Sequence, residues 1–245
     1  MRTLDAMRVY RPVTVNEAVA VLEQTDAPTV VAGGTDLVAQ FNEGLVPHDL
    51  LALRGIGALR RIAVIDGLLH IGSCVTHDAG SSSEVVRGAV PGFAAAWGRI
   101  ANARVRLTAT LGGNVMARRT RYEMPILLEA LGATVHFAGA LLTEVTIPLT
   151  GLVAFDYDRT LRPVMTQAVA LRRTADGTLA FRAAIGTEGA APHALFGPLS
   201  ADAARAAYAD FPVTFADNYS SNAYLRRAGC AILHRQLERL TRAAA

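Results

Sequence analysis

The sequence predicts an α+β fold in two parts, and three observations predict it. Over the first 150 residues, short apolar strand patterns alternate with amphipathic helical ones. After Gly151 the pattern turns to a β-hairpin followed by helices. Two Gly-Gly segments, Ala32-Gly33-Gly34-Thr35-Asp36 and Thr110-Leu111-Gly112-Gly113-Asn114, punctuate the N-terminal part. The expected division is 1–150 and 151–245, the first part splitting again into about 1–55 and 56–150.

Each element has a local reason. Thr14-Val15-Asn16-Glu17 is a capping-box pattern that opens an amphipathic helix through Glu23. Thr29 to Ala32 reads as a short buried strand running into the first glycine segment, and Asp36 to Phe41 as a helix. Leu50 to Leu53 is a further strand, and Asp66-Gly67 is a turn before the strand Leu68 to Ile71. Val75 to Asp78 reads as a helix start, and Val90 to Ala103 as a helix with Pro91 and Gly92 near its beginning. The second glycine segment is expected to be a loop. Pro125 to Leu131 is an apolar helix, and Thr134 to Phe137 and Val145 to Ile147 are strands. Gln167 to Arg173 and Leu179 to Ile185 flank Asp176-Gly177 as a hairpin. Ser200 to Ala209 and Ser220 to Leu240 are helices, the second burying Tyr224, Ala228, Ile232 and Leu237.

Composition narrows the function. A hydrophobic fraction of 51% against 18% charged excludes a disordered chain. All 24 basic residues are arginine, and they are scattered without interleaved aromatics, which argues against nucleic-acid binding. The two cysteines, Cys74 and Cys230, lie far from each other and from any Cys/His cluster, so neither zinc nor an iron–sulfur cluster is expected on this chain. They read as small buried thiols, Trp97 as core, and His77 as a helix-start or packing residue. The N-terminus shows no apolar leader, and no apolar run is long enough for a membrane span, so a cytoplasmic protein is expected.

The two glycine segments carry the chemistry. Glycine pairs let a ligand approach backbone amides, and two such segments facing one another suit the two halves of a diphosphate. The spacing is wrong for the GxGxxG fingerprint, and a Walker A loop needs a lysine that this chain lacks. What remains is a diphosphate held by backbone amides and hydroxyls.

These residues resemble a known family. Val30-Val31-Ala32-Gly33-Gly34-Thr35-Asp36-Leu37 is similar to the first FAD-binding loop of the molybdenum-hydroxylase flavoproteins, the medium subunits of the carbon monoxide and xanthine dehydrogenase type. Arg104 to Asn114 resembles their second loop, and Ile71 to His77 their strand-to-helix segment. Ser221-Asn222-Ala223-Tyr224-Leu225-Arg226-Arg227 resembles the start of their C-terminal helix, with Leu225 where an arginine usually stands. The resemblance implies a two-subdomain FAD-binding domain of the vanillyl-alcohol-oxidase (PCMH) type with a small α+β C-terminal domain. It implies FAD contacts from Ala32, Gly33, Gly34, Thr35 and Asp36, from Thr110, Leu111, Gly112, Gly113 and Asn114, and from Ile100 and Glu123. No side chain is implied as a catalytic acid or base.

The resemblance further implies partners: a molybdopterin-binding large subunit, a small subunit with 2Fe-2S clusters, and an electron acceptor such as NAD or oxygen. Two departures leave alternatives open. Arg118, Arg119, Thr120, Arg121 and Tyr122 stand where the family has small residues, and the family's flavin-facing lysine is absent, with Arg159 or Arg162 as substitutes. An FAD-free scaffold subunit is one alternative, and a stand-alone flavin reductase or oxidase is the other.

Overall fold

The computed structural model describes residues 7–46, 49–119, 122–159, 165–187, 190–209 and 221–244. The N-terminal elements are β1 (Arg8–Tyr10), α1 (Val15–Gln24), β2 (Thr29–Val31), α2 (Thr35–Asn42) and β3 (Asp49–Ala52). The three strands form a parallel sheet in the order β1-β3-β2. Thr14 caps α1 through the Glu17 amide, while the Glu17 carboxylate accepts from the Val13 amide at 2.9 Å, one residue short of the usual capping-box reciprocity.

Antiparallel hairpins build the second sheet, β4-β5-β7-β6, from β4 (Ile62–Ile65), β5 (Leu68–Gly72), β6 (Thr134–Ala138) and β7 (Leu141–Pro148). Between β5 and β6 the chain runs through α3 (His77–Ser82), α4 (Glu84–Ala89), α5 (Pro91–Trp97), α6 (Ala103–Arg106), α7 (Leu111–Met116) and α8 (Met124–Leu131). The third sheet, β11-β10-β9-β8, is antiparallel: β8 (Leu152–Arg159), β9 (Met165–Arg173), β10 (Leu179–Thr187) and β11 (Ala190–Pro198). The helices α9 (Ala201–Ala209) and α10 (Asn222–Ala244) follow.

The third sheet is buried on both faces, and its alternation shows why. Along β9, Met165, Val169 and Leu171 join the core under α9 and α10 with Leu233, Leu237 and Tyr208. Ala168 and Ala170 face the other way, into the core that also holds Trp97, Phe93 and the α8 residues Ile126, Leu127 and Leu131. Small residues on that face let α8 lie close; a Cβ at Gly186 would overlap the Ile126 side chain. One apolar core therefore runs across the expected division near Thr150.

Several sequence expectations change. The strand at Thr29 is not buried: Val30 is 43% exposed, because this strand forms a cavity wall. The second glycine segment is not a loop but the first turn of α7, with Thr110 as its N-cap. The helix expected over Val90 to Ala103 ends at Trp97, and Ala101 takes φ 53° before α6 begins. On α10, Tyr224 is 56% exposed, and Leu225, Leu233 and Leu240 are buried instead. Cys230 is half-buried, whereas Cys74 is in the core.

Candidate functional site

A cavity of about 660 Å³ opens between the first parallel sheet, the α6–α7 region and the start of β7. Eleven of the twelve sequence-expected residues line it: Ala32, Gly33, Gly34, Thr35, Asp36, Ile100, Thr110, Gly112, Gly113, Asn114 and Glu123. Leu111 does not. Its side chain is fully buried in the core, and its amide donates to the Val75 carbonyl at 2.9 Å.

The two glycine segments touch. A Cβ on Gly33 would overlap the Thr108 carbonyl oxygen, so only glycine allows the first segment to pack on the residues leading into the second. Gly34 sits at φ 76°, the left-handed region, and is the N-cap of α2 with no side-chain cap. Among the described residues, no acceptor is bonded to the first-turn amides of α2, those of Thr35, Asp36 and Leu37. These residues line the cavity, so the positive end of the helix dipole faces it.

The second segment differs. The Gly112 amide donates to the Ser73 carbonyl at 2.8 Å, the Gly113 amide to Thr110 Oγ1 at 3.1 Å, and the Asn114 amide to the Thr110 carbonyl at 3.0 Å. With the Leu111 amide these donors are all used within the protein, so this segment has no amide cradle to offer. What it can present is side chains: the Thr110 hydroxyl proton and the Asn114 amide. Asn114 Oδ1 is buried with no hydrogen-bond partner.

Asp36 is occupied too. It accepts from Tyr122 Oη at 2.7 Å, from Arg119 Nε at 3.2 Å and from Gln40. Burial pushes its carboxyl upward, but these donors outweigh burial and hold it below the usual range. Tyr122 moves the opposite way, up to about 12, through burial and the Asp36 charge. Asp36 thus ties the arginine-rich stretch to α2. Arg119 lies 47% exposed in this tie, and neither it nor Arg118 lines the cavity. Thr120, Arg121 and Arg162 fall outside the described residues.

At the other end Glu123 is 7% exposed and stands at the N-cap of α8. It accepts from Tyr157 Oη and from Arg159 Nη1 at 3.2 Å. Burial and the Glu123 charge hold the Tyr157 phenol well above its ordinary range, so it stays a donor. Arg159 itself lines the cavity, and the Arg99 guanidinium lies 5.1 Å over the Tyr157 ring. The sequence reading missed Tyr157 and the contribution of His77 and Tyr122 to the cavity wall. Strand β8 carries a legible alternation, Phe155-Asp156-Tyr157-Asp158, that points Phe155 and Tyr157 to one face.

These residues fit a ligand that carries a diphosphate and an aromatic group. One wall has uncapped helix amides, a buried carboxamide oxygen lacks a partner, and the remaining lining is largely apolar, with Val30, Leu37, Leu53, Ile100 and Leu142.

Comparison with known proteins agrees. A family model described as the FAD binding domain in molybdopterin dehydrogenase matches residues 5–165. The beta subunit of caffeine dehydrogenase from a Pseudomonas species is 31% identical over 131 residues, 53% of this chain and 44% of that protein. The chain spans about half the length of the curated relatives it matches. Among solved structures, reconstituted CO dehydrogenase from Oligotropha carboxidovorans superposes with a TM-score of 0.84 at 23% identity, covering 100% of both chains. Quinoline 2-oxidoreductase from Pseudomonas putida 86 superposes with a TM-score of 0.82 at 22% identity, covering 99% of both chains. At these identities the superpositions establish the shared fold.

Proposed function

The chain belongs to the family of FAD-binding domains of molybdopterin dehydrogenases, and from that premise we propose that it is the FAD-carrying electron-transfer subunit of a molybdenum hydroxylase. Its partners in this reading are a molybdopterin-binding large subunit, where substrate is oxidised, and a small subunit whose 2Fe-2S clusters pass the electrons on. The final acceptor is external, such as NAD or oxygen. Among the described residues there is no His/Cys/Asp/Glu cluster that could hold a metal. No helix among them is long and apolar enough to cross a membrane. Both cysteines are free thiols, which supports a reducing, cytoplasmic setting.

When bound, FAD supplies the redox chemistry that side chains lack. The chain's own work is binding and orientation. The amides of Thr35, Asp36 and Leu37 are placed to hold the diphosphate, with Gly34 setting the turn that aims them. Gly33 seats that turn on Thr108. Thr110 and Asn114 add hydrogen bonds from the facing wall, while Ile100 and Leu142 give apolar surface. Glu123 holds Arg159 and Tyr157, and Arg159 brings the positive charge that the missing lysine does not. Gly112 acts by letting α7 approach Ser73, and Leu111 by anchoring α7 in the core.

The observation that carries this reading is the uncapped N-terminus of α2 facing a cavity walled by both glycine segments. Arg118 and Arg119 do not line that cavity, which speaks against the scaffold alternative. Purified full-length chain is expected to be yellow, with FAD released on denaturation at close to one per chain. A colourless chain that takes up no FAD on titration overturns the reading.

A further inference from the structure

Glu123, Tyr157, Arg159 and Arg99 form one cluster at the cavity wall, and its charges do not cancel. The Glu123 carboxylate is buried and accepts from Tyr157 Oη and, at 3.2 Å, from Arg159 Nη1. The Arg99 guanidinium lies 5.1 Å over the Tyr157 ring. Burial and the Glu123 charge hold the Tyr157 phenol above its ordinary range, so it stays neutral. One carboxylate therefore stands against two guanidinium cations, and the cluster is net positive.

Arg159 carries that charge to the cavity. Among the described residues that line it, Arg159 is the single cation: Asp36 and Glu123 are carboxylates, and His77 is neutral near pH 7. The Arg159 side chain is 40% exposed, so a ligand can reach it. A guanidinium has five N–H donors, and its bond to Glu123 uses one of them. The opposite wall is different. Thr29, Val30, Val31 and Leu45 line it without a charged side chain.

The two rings of a flavin dinucleotide ask for different walls. The isoalloxazine has a carbonyl edge that accepts hydrogen bonds, and it gains negative charge on reduction. Adenine carries an amino donor at its edge and keeps the same charge throughout. A cation with spare donors suits the first, and an uncharged wall suits the second.

We propose that Arg159 and Glu123 set the reduction potential of the bound flavin with opposite signs, Arg159 facing the carbonyl edge of the isoalloxazine and Glu123 standing behind it as the counter-charge. The proposal rests on the FAD reading above and goes beyond it. Reduction at neutral pH adds two electrons, delivered one at a time by the partner's iron–sulfur clusters, and one proton from water. The ring thus gains one negative charge. A nearby cation favours that state and a nearby carboxylate disfavours it, and a partly closed site screens both less than bulk water does. Arg159 acts on the ring directly. Glu123 is a positioning residue that holds the guanidinium at the wall and moderates its charge.

Potentiometric titration of the FAD-loaded full chain at pH 7, with dithionite as reductant and flavin absorbance as the readout, tests this. Arg159→Gln is expected to lower the midpoint potential and Glu123→Gln to raise it. Each shift corresponds to about a tenfold change in the balance of oxidised and reduced flavin, or about 30 mV for a two-electron couple. Arg159→Lys keeps the charge and is expected to stay close to wild type. A merely structural role would change FAD affinity without moving the potential in opposite directions. Potentials that do not move in the two glutamine variants, or that move with the same sign, overturn the proposal and leave the cofactor reading intact. Wild-type chain that binds no FAD overturns the cofactor reading and the proposal with it. If Arg159→Gln does not retain FAD, the other two variants decide: a raised potential in Glu123→Gln with Arg159→Lys near wild type supports the proposal, and no rise overturns it.

Discussion

The two glycine segments share a composition and do opposite things. In the first, the helix that follows, α2, buries no residue, has no side-chain cap, and turns its first amides to the cavity. In the second, Leu111, Gly112 and Asn114 are buried and every first-turn amide of α7 has an internal acceptor. One segment turns amides without an internal acceptor toward the cavity. The other uses its amides within the fold to build the cavity wall. A Gly-Gly pair in a sequence therefore marks close approach of backbone, and only the hydrogen-bond ledger of the fold shows whether the thing approached is a ligand or another part of the chain.

The comparison breaks most visibly at Gly112. A Cβ there falls 2.7 Å from Ser73 Cβ and 2.8 Å from the Ser73 carbonyl oxygen. Both are held by the sheet, because the Ser73 amide donates to Thr143. Gly112→Val is expected to cost about 3 kcal/mol or more by overpacking. Urea unfolding of the variant checks this, and a loss below about 1 kcal/mol would show that α7 can shift freely.

A second large effect also belongs to the wall. His77 stays neutral in the fold down to about pH 4, while an unfolded histidine takes a proton near 6.5. Between these values the unfolded chain binds more protons than the native one, so stability falls as pH drops. The contribution is fully present above about pH 6.5 and amounts to about 3 kcal/mol when lost near pH 4. Unfolding free energies measured from pH 7 to pH 4, with His77→Leu as the control, are expected to fall steeply in the wild type and less steeply in the variant. Equal slopes would mean that His77 is charged in the fold.

Much of this was legible in the sequence, and what was not has physical reasons. The strong local signals held: the Thr14 cap, the Asp66-Gly67 turn with both residues at positive φ, and the Asp176-Gly177 hairpin. Strand β11 escaped notice because Pro192, Gly197 and Pro198 argue against a strand, and it is an edge strand, where proline is tolerated. Tyr224 was misplaced because apolar period alone does not say which side of α10 meets the sheet. At the site, both glycine segments were found, but their division of labour was not. It depends on acceptors at Ser73 and Val75, more than thirty residues away, which no local pattern encodes. Glu123 lines the cavity, and its partners Tyr157 and Arg159 come from β8, a strand 34 and 36 residues further along the chain.

The ligand-facing segment is expected to respond differently, with small effects on stability and larger ones on binding. Gly34→Ala puts a Cβ on a residue at φ 76°, where the nearest atom, Val31 Cγ1, is a comfortable 3.7 Å away. The cost is conformational alone, about 1 kcal/mol. FAD affinity is expected to fall about tenfold as the α2 amides lose their aim, read by fluorescence titration. A variant with unchanged affinity would move the diphosphate away from α2.

The smallest effect sharpens the comparison at its seam. Tyr122 donates to Asp36 at 2.7 Å, and this bond, with Arg119, ties the arginine-rich stretch to the ligand-facing helix. Tyr122→Phe removes one donor from a carboxylate that keeps Gln40 and a largely solvated Arg119. Because charges near water are well screened, the stability loss is expected to be under about 1 kcal/mol. The Asp36 carboxyl is expected to rise toward its ordinary value, since a donor that lowered it is gone. Carbon-detected NMR titration of the carboxylate reads that shift directly. An upward shift without a change in FAD affinity assigns the tie to holding the stretch in place. An upward shift with weaker binding shows that α2 depends on Asp36 to keep its first turn in the orientation that the cavity requires.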